Sequence, residues 1–118
     1  MEISGPAKLL RIFVGEMDKV RHVPLYEAIV REARAAGLAG ATSWRGTMGF
    51  GPTSRIRSAK VLDISADLPV IVEIIDEERK IDAFLPKLSE LFSLASSGGL
   101  VTMEKVEIKR YTHGASKS

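Results

Sequence analysis

Gly46, Gly49 and Gly51 surround Phe50, and such a cluster can bring backbone N–H groups up to a phosphate with no side chain in the way. Three glycines in a loop more often mark turns alone. No Gly-Lys-Ser/Thr follows them and no helix opens after them, so they form neither a Walker loop nor a dinucleotide fingerprint. A second stretch, Ser96-Ser97-Gly98-Gly99, reads most simply as a helix stop and becomes a ligand candidate only where the fold brings it near the first. Other chemistries have weaker support. His22 and His113 are the only histidines, and neither stands at a metal-ligand spacing from the other or from a carboxylate cluster, which predicts two surface residues and no metal requirement. Ser54 and Ser97 lack an identifiable base and orienting acid, so nucleophilic catalysis is not expected. Glu77-Glu78-Arg79-Lys80 reads as a solvated helix start, and the lone Trp44 as core or subunit interface rather than a stacking platform.

The chain that must position these residues has 118 of them, enough for one domain with one core. Its 45% hydrophobic and 27% charged residues match ordinary globular proteins and exclude disorder along the whole length. Lys plus Arg at 17 against Asp plus Glu at 15 leaves a net charge of +2 on scattered positions, so neither duplex DNA nor an anionic membrane has a dense electrostatic footprint to meet. Cysteine is absent, which removes disulfides, thiol catalysis and Cys-ligated metal, and fits a reducing compartment. No apolar run reaches membrane-spanning length and no signal peptide opens the chain, so a cytoplasmic protein without membrane insertion is expected. Asn and Gln are absent too, a bias that heat-adapted proteins share.

Periodicity supplies the elements. Residues 8–15 (KLLRIFVG) alternate Leu10, Ile12 and Val14 against Leu9, Arg11 and Phe13, the pattern of a buried strand. Leu25, Ile29, Ala33 and Ala36 then recur at helical spacing, with Pro24 in the first turn, Glu27 and Arg31 as an i,i+4 pair, and Gly37 as the cap. Residues 41–47 form a weaker strand, and residues 48–54, carrying glycine, proline and hydroxyls, a long exposed loop. Residues 58–65 and 69–76 read as one strand with a break or as two short ones. Ile81, Phe84, Leu85, Leu88, Leu91, Phe92 and Ala95 define a second helix, in which Pro86 predicts a kink. A last strand over residues 100–111 shifts its apolar phase between Met103 and Val106, which predicts a bulge near Glu104. Residues 1–111 form the single domain and residues 112–118 a mobile tail. The order β-α-β-β-α-β lets two helices cover one face of a four-stranded antiparallel sheet, an α+β, ferredoxin-like sandwich whose other face needs a partner or ligand.

Several strings now acquire a common meaning: Pro24-Leu25-Tyr26-Glu27-Ala28-Ile29-Val30, Gly37-Leu38-Ala39-Gly40-Ala41-Thr42, Arg45-Gly46, Gly49-Phe50-Gly51, Ser54-Arg55-Ile56, Asp67-Leu68-Pro69-Val70 and Gly99-Leu100-Val101-Thr102. Together they closely resemble the PII-like family catalogued as domain of unknown function 190, over residues 8–111. The resemblance implies a homotrimer related to the PII signal-transduction proteins, with a mobile T-loop after the second strand and an adenine-nucleotide cleft between subunits. It implies a non-enzymatic sensor that passes its signal to another protein, a transporter of the fluoride-exporting kind among the partners. Carried over by position, Gly49, Phe50 and Gly51 resemble the base of the T-loop. Ser97, Gly98, Gly99, Leu100, Val101 and Thr102 resemble the B-loop, and Lys109 and Arg110 the basic residues that close the phosphate end. The T-loop segment has no Tyr to uridylylate, and the B-loop segment has no Lys, which favours AMP or ADP over ATP.

Other functions share this order of elements. A single-stranded RNA-binding module needs exposed aromatics on its central strands, and residues 58–64 contain none. A CutA-like metal-tolerance trimer needs a ligand cluster that the chain does not show, and an acylphosphatase needs a catalytic Asn that it lacks.

Overall fold

Alternating side chains build the first strand, β1 (Gly5–Gly15), and the computed structural model describes it together with the rest of residues 3–60, 67–112 and 114. Leu10, Ile12 and Val14 of β1 stand opposite Ile74, Val72 and Val70 of β7 (Pro69–Asp76) and point with them to one side. Helix α1 (Leu25–Ala35) lays Leu25, Ile29 and Ala33 on that side, and α2 (Glu78–Ala95) adds Ile81, Phe84, Leu88 and Leu91. Burying each such large aliphatic or Phe side chain contributes about 1.5–3 kcal/mol, so the two matched stripes dominate the stability of the fold.

The main sheet is antiparallel with the order β4-β7-β1-β8, where β4 spans Ala41–Arg45 and β8 spans Leu100–Ile108. Both helices pack against one face, which is the expected α+β sandwich. Among the described residues no helix is long and apolar enough to cross a membrane.

Two small hairpins interrupt the simple order. Strands β2 (Lys19–Val20) and β3 (Val23–Pro24) pair across a two-residue turn in which Arg21 and His22 both take positive φ, 49° and 77°. Tight hairpin turns of this kind favour Asn and Gly, which is why the sequence did not announce it. Strands β5 (Met48–Gly49) and β6 (Arg57–Ser58) pair likewise, so the stretch expected as an open loop begins as a hairpin whose tip is residues 50–56. The expected strand over residues 58–65 keeps only Ser58 in regular structure among the described residues, while residues 61–66 lie outside them.

The expected bulge near Glu104 is absent. Leu100 to Ile108 pair one to one with Phe13 to Gly5. β8 is an edge strand exposed along most of its length, so its apolar residues need not keep the alternation that a covered strand requires. α2 runs through Pro86 without interruption; Pro86 and Asp82 are both exposed, so the carbonyl deprived of its partner lies on the water side. The helix ends on Ser96 in the left-handed conformation rather than on a glycine. The tail expected over residues 112–118 falls mostly outside the described residues.

Asp76 is the one buried charged residue among those described, and its position explains it. One carboxylate oxygen accepts the Ala39 N–H at 2.9 Å and the other the Glu77 N–H at 2.7 Å, tying the turn before β4 to the start of α2. Residue types that cap helix ends do this work elsewhere in the chain too: Asp18 binds the Gly15 N–H at 2.8 Å.

Candidate functional site

The register of the sheet decides which candidate residues share a place. Arg45 stands opposite Val70, Val70 opposite Val14, and Phe13 opposite Leu100, so the exit of β4 and the entry of β8 lie at one end of the sheet. Gly49, Phe50 and Gly51 follow the first, and Ser97, Gly98 and Gly99 precede the second. The two glycine loops are therefore at the same end but on opposite edges, three strand spacings or roughly 14 Å apart. Lys109 and Arg110 follow Ile108, which stands opposite Gly5 at the other end of β8. Eight residue steps, roughly 26 Å, separate Leu100 from Ile108, so the two basic residues leave the strand at its far end. Within one chain the expected site residues are thus three separate groups.

The hairpin tip is solvent-facing throughout. Phe50 is 71% exposed, and Met48, Ile56, Arg55 and Gly51 are exposed as well. Arg45, at its base, is held by Glu16 at 2.7 Å. The opposite loop is more constrained. Ser97 Oγ donates to Asp18 Oδ2 at 2.8 Å, the same oxygen that accepts the Gly15 N–H, so the loop after β1 is joined to the loop before β8. Gly98 is exposed and has open space where a Cβ would be. Gly99 does not: a Cβ there would sit 2.6 Å from the Phe92 ring and 2.8 Å from the Phe13 carbonyl oxygen, so this glycine serves close packing. Leu100, Val101 and Thr102 are exposed on β8, and Lys109 Nζ is engaged by Glu107 at 2.9 Å.

The sheet face away from the helices carries a polar row that sequence reasoning did not single out as a site. Arg11 stands opposite Glu73 and binds it through Nε at 3.0 Å and a terminal nitrogen at 2.9 Å, while its other terminal nitrogen reaches Glu104 at 3.1 Å. Trp44 Nε1 donates to the second Glu73 oxygen at 3.2 Å. The signal was present as the single Arg in the alternation of β1. Asp18 and Asp67 were also missed; Asp67 accepts the Met17 N–H at 2.8 Å and stands against Gly15. Nothing local distinguishes these acids from solvated loop residues.

Two grooves among the described residues lie elsewhere. One groove of about 280 Å³ runs between the helices past Ala36, Ala83 and Phe84, and another of about 240 Å³ lies under Val30, Leu38 and Gly40. Neither is lined by an expected nucleotide residue. Among the described residues no group of three or more His, Asp or Glu is placed to hold a metal ion. The central strands β1 and β7 show on their open face one aromatic residue, the half-buried Phe13, rather than the stacking pair that an RNA module needs.

Comparison with known proteins finds the same fold elsewhere. CPII, a nitrogen regulatory PII-like protein from Thiomonas intermedia K12 whose structure is bound to ADP, AMP and bicarbonate, matches with a TM-score of 0.66 at 17% identity, over 92% of this chain and 91% of that one. A phage SAM lyase in complex with S-methyl-5'-thioadenosine matches with a TM-score of 0.51 at 18% identity, over 92% and 90% of the two chains. In sequence, a UPF0166 protein of Aquifex aeolicus (strain VF5) is 42% identical over 101 residues, 86% of this chain and 91% of that protein. The family model DUF190, described as an uncharacterized ACR, matches residues 7–108. The fold is PII-like, and the chain belongs to the DUF190 family.

Proposed function

We propose that this protein is a non-enzymatic PII-like regulator that binds an adenine nucleotide, AMP or ADP in preference to ATP, in a cleft between the subunits of a homotrimer. The hairpin tip at residues 50–56 acts as the T-loop, and nucleotide binding at its base changes which partner it fits, a transporter of the fluoride-exporting kind among the candidates. One observation carries the reading: two glycine loops share one end of the sheet on opposite edges, so a ring of copies is the arrangement that lets one chain's loop face another's. The nucleotides bound by CPII support the ligand class. Titration calorimetry against AMP, ADP, ATP and cyclic dinucleotides tests it. Binding of an adenine mononucleotide with one site per chain is expected, and no heat from any of them at millimolar concentration overturns it.

A further inference from the structure

We infer that Asp18 sets how much phosphate charge the Ser97–Gly99 loop accepts, making the site favour a nucleoside monophosphate over a triphosphate. This rests on the nucleotide reading above and adds a named determinant to it. Asp18 Oδ2 lies 2.8 Å from Ser97 Oγ and 2.8 Å from the Gly15 nitrogen, so the carboxylate is fixed directly beneath the loop. Asp67 stands on the other side of the same turn, bound by the Met17 N–H at 2.8 Å. Backbone amides and one hydroxyl hold both acids. Among the described residues neither lies within ion-pair distance of Lys, Arg or His, whereas the neighbouring Glu16 is paired with Arg45.

The uncrowded position of the loop is Gly98, the residue after Ser97, which is exposed and would bring a Cβ within 4 Å of nothing. A phosphate held at Gly98 lies beyond Ser97 from the Asp18 carboxylate, on the order of 6–9 Å away. At that distance, with screening between the protein-surface and bulk-water limits, each added negative charge loses on the order of three- to tenfold in affinity. The loop has no Lys of its own to offset this. Lys19 and Arg21 follow Asp18 along the chain and are exposed, so salt screens what they contribute. ATP, which carries more negative charge than AMP, therefore bears the larger loss.

The test is calorimetry with AMP and ATP, without divalent cations, on the wild-type protein, Asp18→Asn and Ser97→Ala. Wild-type protein is expected to bind AMP at least tenfold more tightly than ATP. Asp18→Asn, which keeps an acceptor oxygen and removes the charge, is expected to shrink that ratio at least fivefold. Ser97→Ala keeps the charge and leaves the ratio unchanged while weakening both ligands. A wild-type preference for ATP overturns the inference even if Asp18→Asn fails to fold. So does an unchanged ratio in folded Asp18→Asn, or a ratio that moves equally in both variants, since that assigns the effect to the hydrogen bond. Absence of any nucleotide binding by the wild-type protein removes the nucleotide reading itself, a separate result.

Discussion

Tyr111 Oη donates a hydrogen bond to the carbonyl of Ala39, the residue whose own N–H is bound by Asp76. Both polar groups of one peptide position are thereby used to fasten the segment after β8 and the start of α2 to the turn before β4. Lys109 and Arg110 immediately precede this anchor, which limits where their side chains can reach. Tyr111→Phe removes the outer of the two bonds at an exposed position, and urea denaturation should show a loss of about 0.5–1.5 kcal/mol.

Asp76→Ala is the harsher change. It strands the partly buried Ala39 and Glu77 amides, each at a cost of about 1–3 kcal/mol, and leaves a small void where the fully buried Asp76 side chain stood. Denaturant unfolding is expected to show a loss of about 2–5 kcal/mol. Asp76→Asn, which keeps one acceptor oxygen, should fall between this variant and the wild type.

Gly98 and Gly99 are neighbours with opposite tolerances. A Cβ at Gly98 meets nothing within 4 Å, whereas at Gly99 it meets the Phe13 carbonyl, which cannot move without shifting β1. Gly99→Ala should cost about 1–3 kcal/mol in thermal unfolding, and Gly98→Ala should leave stability nearly unchanged. Loss of nucleotide binding on substituting Gly99 would therefore report damaged packing, and Gly98 is the position at which to probe ligand contact. A Gly98→Ala protein less stable than Gly99→Ala contradicts this assignment.

How far these relationships could be read in advance depended on whether a pattern was local. Leu10, Ile12 and Val14 reveal β1 because a covered strand must alternate, and Ile81, Phe84, Leu88 and Leu91 reveal α2 because a helix lying on a sheet must carry a stripe. β8 misled: Val101 and Met103 share the helix side of the sheet yet remain exposed, so its apolar phase carries no register and suggested a bulge that is not there. The turn at Arg21 and His22 had no glycine to mark it. The glycine loops were visible as residue types, whereas the Asp18–Ser97 bond joins positions 79 apart and follows only from the completed fold.

The hairpin tip invites a proteolytic test. Residues 50–56 are exposed, and among the described residues a short ladder closes the hairpin behind them: Met48 pairs with Ser58, Gly49 with Arg57, and the Ala59 N–H bonds the Thr47 carbonyl at 2.9 Å. Local opening of so short a ladder costs little, and Arg55 offers trypsin a site. Limited digestion should cut first after Arg55 or Arg57, and AMP should slow that cut if nucleotide binding orders the loop. First cleavage inside α2 contradicts the assignment of this segment as the mobile one.

The last prediction concerns assembly and uses Trp44, the one tryptophan in the chain, as its reporter. Its indole is half exposed on the open face of the sheet, hydrogen-bonded to Glu73 beside the Arg11–Glu104 pair, and Leu100 on the same face is exposed too. A face that mixes such apolar surface with charges already satisfied within the chain can be covered at low desolvation cost, because Arg11 keeps its partners when water leaves. Three chains of 12.9 kDa closing such a ring give about 39 kDa by light scattering. Covering Trp44 should shift its emission to shorter wavelength and protect it from iodide. Dilution should reverse both effects at the same concentration at which the mass falls, because one interface governs all three signals. A protein that scatters as a monomer at micromolar concentration, or whose tryptophan stays fully accessible to iodide in the 39 kDa species, places the interface elsewhere than on this face.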